Sequence, residues 1–172
     1  MNPFTKVAFA ATALSVAVCR AQTAQVASPT KAAFSLTLSA AQSTVKTGQP
    51  QQLEVTLTNK TDHVIGINED RAYTGDFYYP LTVRDEQSKD IPLTRRGRAI
   101  RGRPTLDDPP VAVNVDSFLV QLDPGHGLID TINVTPLYDL TRPGRYSIQA
   151  SRYDDVSKER VLSNVIDVTI TP

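Results

Sequence analysis

Leu137-Tyr138-Asp139-Leu140-Thr141-Arg142-Pro143-Gly144-Arg145-Tyr146-Ser147-Ile148-Gln149-Ala150 decides how this chain is read. A short hydrophobic approach runs into a Pro-Gly turn. The chain leaves the turn as a strand whose alternation places Tyr146, Ile148 and Ala150 on one face. Downstream, a polar hairpin loop around Asp154 to Glu159 leads to a closing strand over Val165 to Ile170.

Upstream the same period of two recurs. Phe34, Leu36 and Leu38 alternate with Ser35, Thr37 and Ser39, and Val45 to Pro50 supplies a short edge piece and a turn. Leu53, Val55 and Leu57 point inward, with Glu54, Thr56 and Thr58 outward, and Val64 to Ile67 forms a third strand. Asn68 to Asp76 is polar and reads as a loop. Phe77 to Asp85 reads as a strand with Tyr79, Leu81 and Val83 on one face, and Pro80 marks an edge or a bulge. After a brief return at Ile91 to Leu93, residues 94–110 are the least regular part of the chain. Val111 to Val115, Ser117 to Leu122 and Leu128 to Val134 follow, with a break at Asp123-Pro-Gly-His-Gly127. No period of 3.6 is sustained after the leader, and no unit repeats. Seven to nine short strands at this spacing predict a sandwich or a barrel. Leu36, Leu53, Val55, Leu57, Leu81, Val83, Ile148, Val168 and Ile170 form the expected core.

The order Asp139, Gly144, Tyr146 resembles the corner before the sixth strand of an immunoglobulin domain. There an Asp, a small residue and a Tyr lead into the strand, and the Tyr hydroxyl folds back to a backbone group. The resemblance implies that Tyr146 is the corner tyrosine and Gly144 the small residue that closes the turn. Ile148 stands where antibody domains place a cysteine. Pro143 to Ile148 followed by Ser163 to Ile170 is similar to the last hairpin of secreted bacterial immunoglobulin-like modules. It resembles a bacterial proteinase-inhibitor-like sandwich family less closely. The fold so implied is all-β, an immunoglobulin-like β-sandwich of seven to nine antiparallel strands without a disulfide. Such sandwiches host many unrelated functions.

At the N-terminus, one positive charge (Lys6) precedes twelve mostly apolar, uncharged residues, Val7 to Val18, and Cys19-Arg20-Ala21 offers small residues at a cleavage site. That layout is a secretory signal peptide over residues 1–21, too short for a comfortable bilayer span. Val18 stands where a lipoprotein signal wants Gly or Ala, so cleavage after Ala21 is favoured over an acylated Cys19. Residues 22–33, rich in Ala, Thr, Ser and Pro, read as a flexible spacer, and residues 34–172 as one domain. The chain carries 18 basic and 18 acidic residues; losing Lys6 and Arg20 leaves 16 basic ones and a formal charge of −2. No global field then draws the mature chain to nucleic acid or an anionic membrane. The mature chain also lacks cysteine, which removes thiolate chemistry and cysteine-ligated metals. The expected location is periplasmic or extracellular, with no membrane span in the mature chain and the oligomeric state left open.

No catalytic constellation stands out. His63 and His126 are the two histidines, and nothing in the spacing unites them with Asp123 or Asp130 as a zinc site. No serine sits in a Gly-x-Ser-x-Gly elbow, and no phosphate loop or dinucleotide fingerprint occurs. Asp139 reads as a turn-capping side chain. Asn68-Glu69-Asp70 with Asp76 is the best hard-cation candidate, followed by Asp107-Asp108 and Asp154-Asp155, but none matches a calcium motif. The sequence therefore calls for no metal and no cofactor. Two sequons, at Asn59 and Asn133, are left unused.

The densest charge feature is Arg95, Arg96, Arg98, Arg101 and Arg103, five arginines in nine residues. It reads as an exposed, glycine-loosened hairpin or loop balanced by Asp90, Asp107 and Asp108. Its anionic partner would be an envelope protein or a cell-surface polymer, not nucleic acid. The function expected is a non-catalytic exported module with a binding or structural role at the cell envelope. A secreted hydrolase inhibitor presenting a sandwich loop and a small secreted hydrolase are the alternatives.

Overall fold

In a computed structural model the chain is described over residues 31–70, 78–101, 105 and 117–172. The proposed leader, Cys19, most of the spacer, Asp76, Arg103, Asp107-Asp108 and the strand expected at 111–115 lie outside these residues. Among the described residues there are nine strands and one short helix. The strands are β1 (Phe34–Ala40), β2 (Thr44–Lys46), β3 (Gln52–Asn59), β4 (Ile65–Asp70), β5 (Leu81–Arg84), β6 (Ser117–Leu122), β7 (Gly127–Asn133), β8 (Gly144–Asp154) and β9 (Glu159–Thr171); the helix is α1 (Arg95–Ile100). None of the described helices is long and apolar enough to cross a membrane.

Two sheets, ordered β1-β3-β7 and β2-β9-β8-β5, form an immunoglobulin-like sandwich, and β4 pairs with β6 in a two-stranded ribbon. With one cysteine in the sequence, no intrachain disulfide is possible. The alternation read from the sequence gives the register. Leu36 lies opposite Leu57 and Leu38 opposite Val55, while Leu53 lies opposite Ile132. In the other sheet Leu81 meets Ala150, Val83 meets Ile148, and Tyr146 meets Val168. All nine expected core residues are buried, and Glu54 is exposed, so the face assignment holds. Each fully buried aliphatic side chain contributes about 1.5–3 kcal/mol.

The pairings are antiparallel except one: β2 runs parallel to β9, with Val45 opposite Ile170. The expected antiparallel sandwich stands, with this one parallel pair at the edge of a sheet. A short edge strand reached by a crossing loop can add to a sheet in either direction.

Between Gln149 and Ser151 the β8–β9 register slips by one residue, the extra residue lying on β9. Ser163 Oγ accepts the Ala150 N–H there (2.9 Å). The neighbouring Asn164 turns its amide to β1, accepting Leu38 N–H (2.8 Å) and donating to Leu38 C=O (2.9 Å). A bulge that re-aims a side chain thus lets one amide stand in for a strand along the β1 edge.

Five local readings change. Of the strand expected over Phe77 to Asp85, Phe77 lies outside the described residues and 78–85 hold β5 only; Pro80, without an N–H, precedes the ladder, and its carbonyl accepts Ser151 N–H instead. Asn68 to Asp70, expected as the start of a loop, belong instead to β4, with Glu69 buried. The loop expected from Asp154 to Glu159 shrinks to 155–158, since β8 and β9 extend to its edges. The exposed hairpin or loop expected at the arginine cluster is the helix α1. Ala33, placed in the spacer, is itself buried, with its N–H on Asp154 Oδ2 (2.8 Å) and its carbonyl accepting Lys60 N–H (2.9 Å).

Candidate functional site

Thr94 starts α1 as its N-cap: the hydroxyl accepts Gly97 N–H (3.1 Å) and donates to Pro136 C=O (2.6 Å). Thr94 N–H reaches Leu137 C=O (2.9 Å), so the helix is moored to the approach of the corner segment. Gly97 makes that approach possible, because a Cβ there would run into the Leu137 carbonyl. The arginines consequently divide. Arg98 is half-buried and donates to Leu93 C=O (3.2 Å), and Arg101, also half-buried, donates to Tyr79 C=O (3.1 Å). Arg95 and Arg96 are exposed. Asp90, expected to balance the cluster, pairs with Arg84 instead (2.9 Å).

Tyr146, buried on β8, donates its hydroxyl to Arg142 C=O (2.6 Å). Burial raises its hydroxyl pKa, and the negative charge of Asp139 adds to the shift. Asp139 accepts the Thr141 hydroxyl (2.6 Å) and N–H (3.3 Å), and those bonds lower its carboxyl pKa. This is a turn cap. The sequence reading missed a second, deeper anchor in the same stretch: Tyr138 donates its hydroxyl to Leu81 C=O (2.6 Å), and burial raises that pKa too.

A charged cluster lies at the other end of β8. Arg152, 7% exposed, donates from Nη1 to Glu69 Oε1 (2.9 Å) and to the Tyr79 hydroxyl (2.8 Å), and from Nη2 to Asn68 C=O (2.6 Å). Its guanidinium carbon lies 5.0 Å from the ring centroids of both Tyr78 and Tyr79. Burial drives the Tyr79 hydroxyl well above its ordinary range; Arg152 opposes the shift, and Asp130 and Glu69 reinforce it. Asp130 Oδ2 is buried on β7 without a hydrogen-bond partner among the described residues.

Of the Asn68-Glu69-Asp70 and Asp76 cation candidate, Glu69 faces a buried guanidinium, while Asp76 lies outside the described residues. The Asp154-Asp155 suggestion changes likewise. Asp154 is 2% exposed and accepts N–H bonds from Ala33, Val156 and Ser157 and the Ser157 hydroxyl. Burial raises its pKa, but these donors outweigh it and the net shift is downward. Among the described residues no group of three His, Cys, Asp or Glu side chains could hold a metal ion.

Both histidines are exposed, yet their loops meet at Asn59. Its amide donates to His63 C=O (2.8 Å) and Leu122 C=O (2.9 Å), and its backbone N–H donates to His126 C=O (3.0 Å). His63 Nδ1 lies 3.0 Å from Asp62. With Asn59 1% exposed and bonded on both amide atoms, the first sequon is part of the scaffold. Asn133 Oδ1 is buried without a partner among the described residues.

Two surface cavities border these features. One of about 300 Å³ lies beside Arg152, Tyr78 and Arg160. One of about 310 Å³ lies between the 85–92 segment and the corner. A third, about 480 Å³, lies apart from them beside β2, with Ala41, Val45, Pro50 and Gln51 in its lining.

No family model and no curated protein matches the chain. Among solved structures, a β-glucosidase from Erythrobacter marinus aligns with a TM-score of 0.43 at 14% identity, covering 81% of this chain and 16% of that one. A β-glucosidase from Listeria innocua, in complex with isofagomine, gives 0.40 at 17% identity, with 81% and 16% covered. A CARDB domain from Pyrococcus furiosus gives 0.40 at 15% identity, with 81% and 94% covered. This chain therefore spans a small part of the glucosidases' length. Likeness at these scores assigns no function and no site residue.

Proposed function

We propose that this chain is a non-catalytic immunoglobulin-like module, exported by its leader, that binds an anionic partner at the cell envelope. The observation that carries the reading is the division within the arginine cluster. Arg98 and Arg101 hold α1 to the sandwich, which presents Arg95 and Arg96 outward on an anchored helix. The other conspicuous polar groups, Glu69, Arg152, Asp139, Asp154 and Asn59, are engaged in bonds that hold strands and turns. Their arrangement supports a scaffold and not a reaction centre.

The test replaces Arg95 and Arg96 with Ser and measures retention by isolated envelopes at rising salt. Binding through an exposed cationic face falls with ionic strength, since screening shortens to about 8 Å at physiological salt. Retention lost at unchanged melting temperature supports the reading; retention unchanged by both the substitutions and salt removes it. Export is checked separately by intact mass of the protein from its native host. A chain beginning at Gln22 is expected, and an acylated Cys19 would replace the soluble module with an anchored one.

A further inference from the structure

The guanidinium of Arg152 has five N–H groups, and three are satisfied: two on Nη1, by Glu69 and Tyr79, and one on Nη2, by Asn68. Among the described residues, Nε–H and the second Nη2–H have no acceptor. The side chain is only 9% exposed, so what solvent it meets is that of the adjoining cavity. Arg152 also lines the cavity of about 300 Å³. A charged donor that meets only the water of a narrow cavity can exchange that water for an acceptor brought in by a ligand.

The rest of the cavity says what that ligand should look like. Tyr78, Tyr153, Pro80 and Ile67 supply flat and apolar wall, and Tyr153 and Val156 at the opening are half-exposed or more. Arg160 stands on the rim with Nη1 on Ser151 Oγ (3.1 Å), a second cation beside the first. Two carboxylates line the same space. Asp154 is quenched by its four donors, and Asp155 is exposed to solvent, where its charge is screened. We propose that this cavity binds a small carboxylate carried on a flat apolar body: the carboxylate takes the open Arg152 donors, Arg160 adds attraction at the mouth, and the body lies against Tyr78 and Pro80. The site is separate from the Arg95–Arg96 face, and either can fail without the other.

Phenylacetate is the probe, and phenylacetamide, equal in shape but uncharged, is the control. In isotope-labelled protein, phenylacetate should shift the Arg152 Nε–H resonance and the Asn68, Tyr153 and Val156 amides saturably, while the amide at equal concentration leaves them in place. Arg160→Gln, outside the buried ion pair, should weaken binding about two- to fivefold, the worth of an exposed charge contact. No saturable shift at the Arg152 Nε–H up to tens of millimolar, or an equal response to the amide, overturns the proposal. Undiminished affinity in Arg160→Gln overturns the two-cation site.

Discussion

The two halves of β8 face the same interior by the same alternation and do opposite things with it. From Tyr146 to Ala150 the inward side chains are aromatic or aliphatic and pack against Leu81, Val83 and Val168. From Arg152 to Asp154 the inward side chains are charged, and each must be met by partners brought from elsewhere: Glu69 and Asn68 from β4, Tyr79 from the approach to β5, and Ala33 from before β1. The first half is held by an interaction without direction, the second by a set of directed bonds. An apolar half tolerates one lost contact in proportion to the area lost. The charged half loses more, because removing one member strands another in a medium that solvates it poorly.

The largest expected effect follows from that asymmetry. Arg152→Ala takes the guanidinium away from a buried Glu69 carboxylate and should cost about 3–5 kcal/mol in denaturant unfolding. Replacing both partners, as Glu69→Leu with Arg152→Met, should recover much of the loss, because a well-packed apolar pair can equal a buried ion pair. A single substitution within error of wild type would mean that water reaches Glu69 and that the two halves do not differ in kind. In the apolar half, Ile148→Ala should cost about 2–5 kcal/mol through lost transfer energy and the cavity left behind. A smaller loss than this would show that Val83 and Ile166 close over the gap.

The same contrast explains what could be read from the chain by itself. Alternation is a local property, so the faces of β1, β3 and the first half of β8 were legible from Phe34-Leu36-Leu38, Leu53-Val55-Leu57 and Tyr146-Ile148-Ala150. The Tyr146 corner was legible because its bond spans four residues. Extending the count of two from Ala150 would have placed Arg152 and Asp154 inward as well, but charged residues read as loop, and the strand was cut short there. Glu69 was misread for the same reason. Its partner lies 83 residues away, and no spacing rule connects them. The arginine helix was hidden differently: with a central glycine and no acidic residue in its first turn it looks like a poor helix, and what stabilises it is the Thr94 cap together with contact on Leu137. The candidate cavity beside Arg152 draws on β4, β8 and the 78–80 segment at once, so no single stretch announces it.

The two corner tyrosines give a finer comparison inside the apolar half. Tyr138 donates to a strand carbonyl in a buried setting, whereas Tyr146 donates to Arg142 in an exposed turn. Tyr138→Phe leaves Leu81 C=O without its side-chain donor and should cost about 1–3 kcal/mol; Tyr146→Phe, whose acceptor can turn to water, should cost about 0.5–1.5 kcal/mol. The reverse order in urea melts would mean that the corner bond organises the fold more than the deeper one does.

The smallest effect is a pH dependence that separates the charged end from the corner. Asp154 and Asp139 both titrate below an ordinary aspartate in the folded chain, Asp154 because donors from Ala33, Val156 and Ser157 outweigh its burial, Asp139 because of Thr141. A carboxyl whose folded pKa is depressed leaves the unfolded chain binding more protons in the acid range. Its stabilisation is therefore present above the unfolded pKa and fades as pH falls through the folded one. Stability should accordingly decline below about pH 4, the ordinary aspartate range. Asp154→Asn should flatten that decline more than Asp139→Asn, because the Asp154 bonds tie Ala33 and the 155–158 turn to β8 while Asp139 caps its own exposed turn. Urea unfolding across the acid range reads the difference directly. Equal flattening by both substitutions would show that the Ala33 tether adds nothing to the local turn. A decline untouched by either would show that neither the Ala33 tether nor the Asp139 turn cap carries the acid sensitivity of the sandwich.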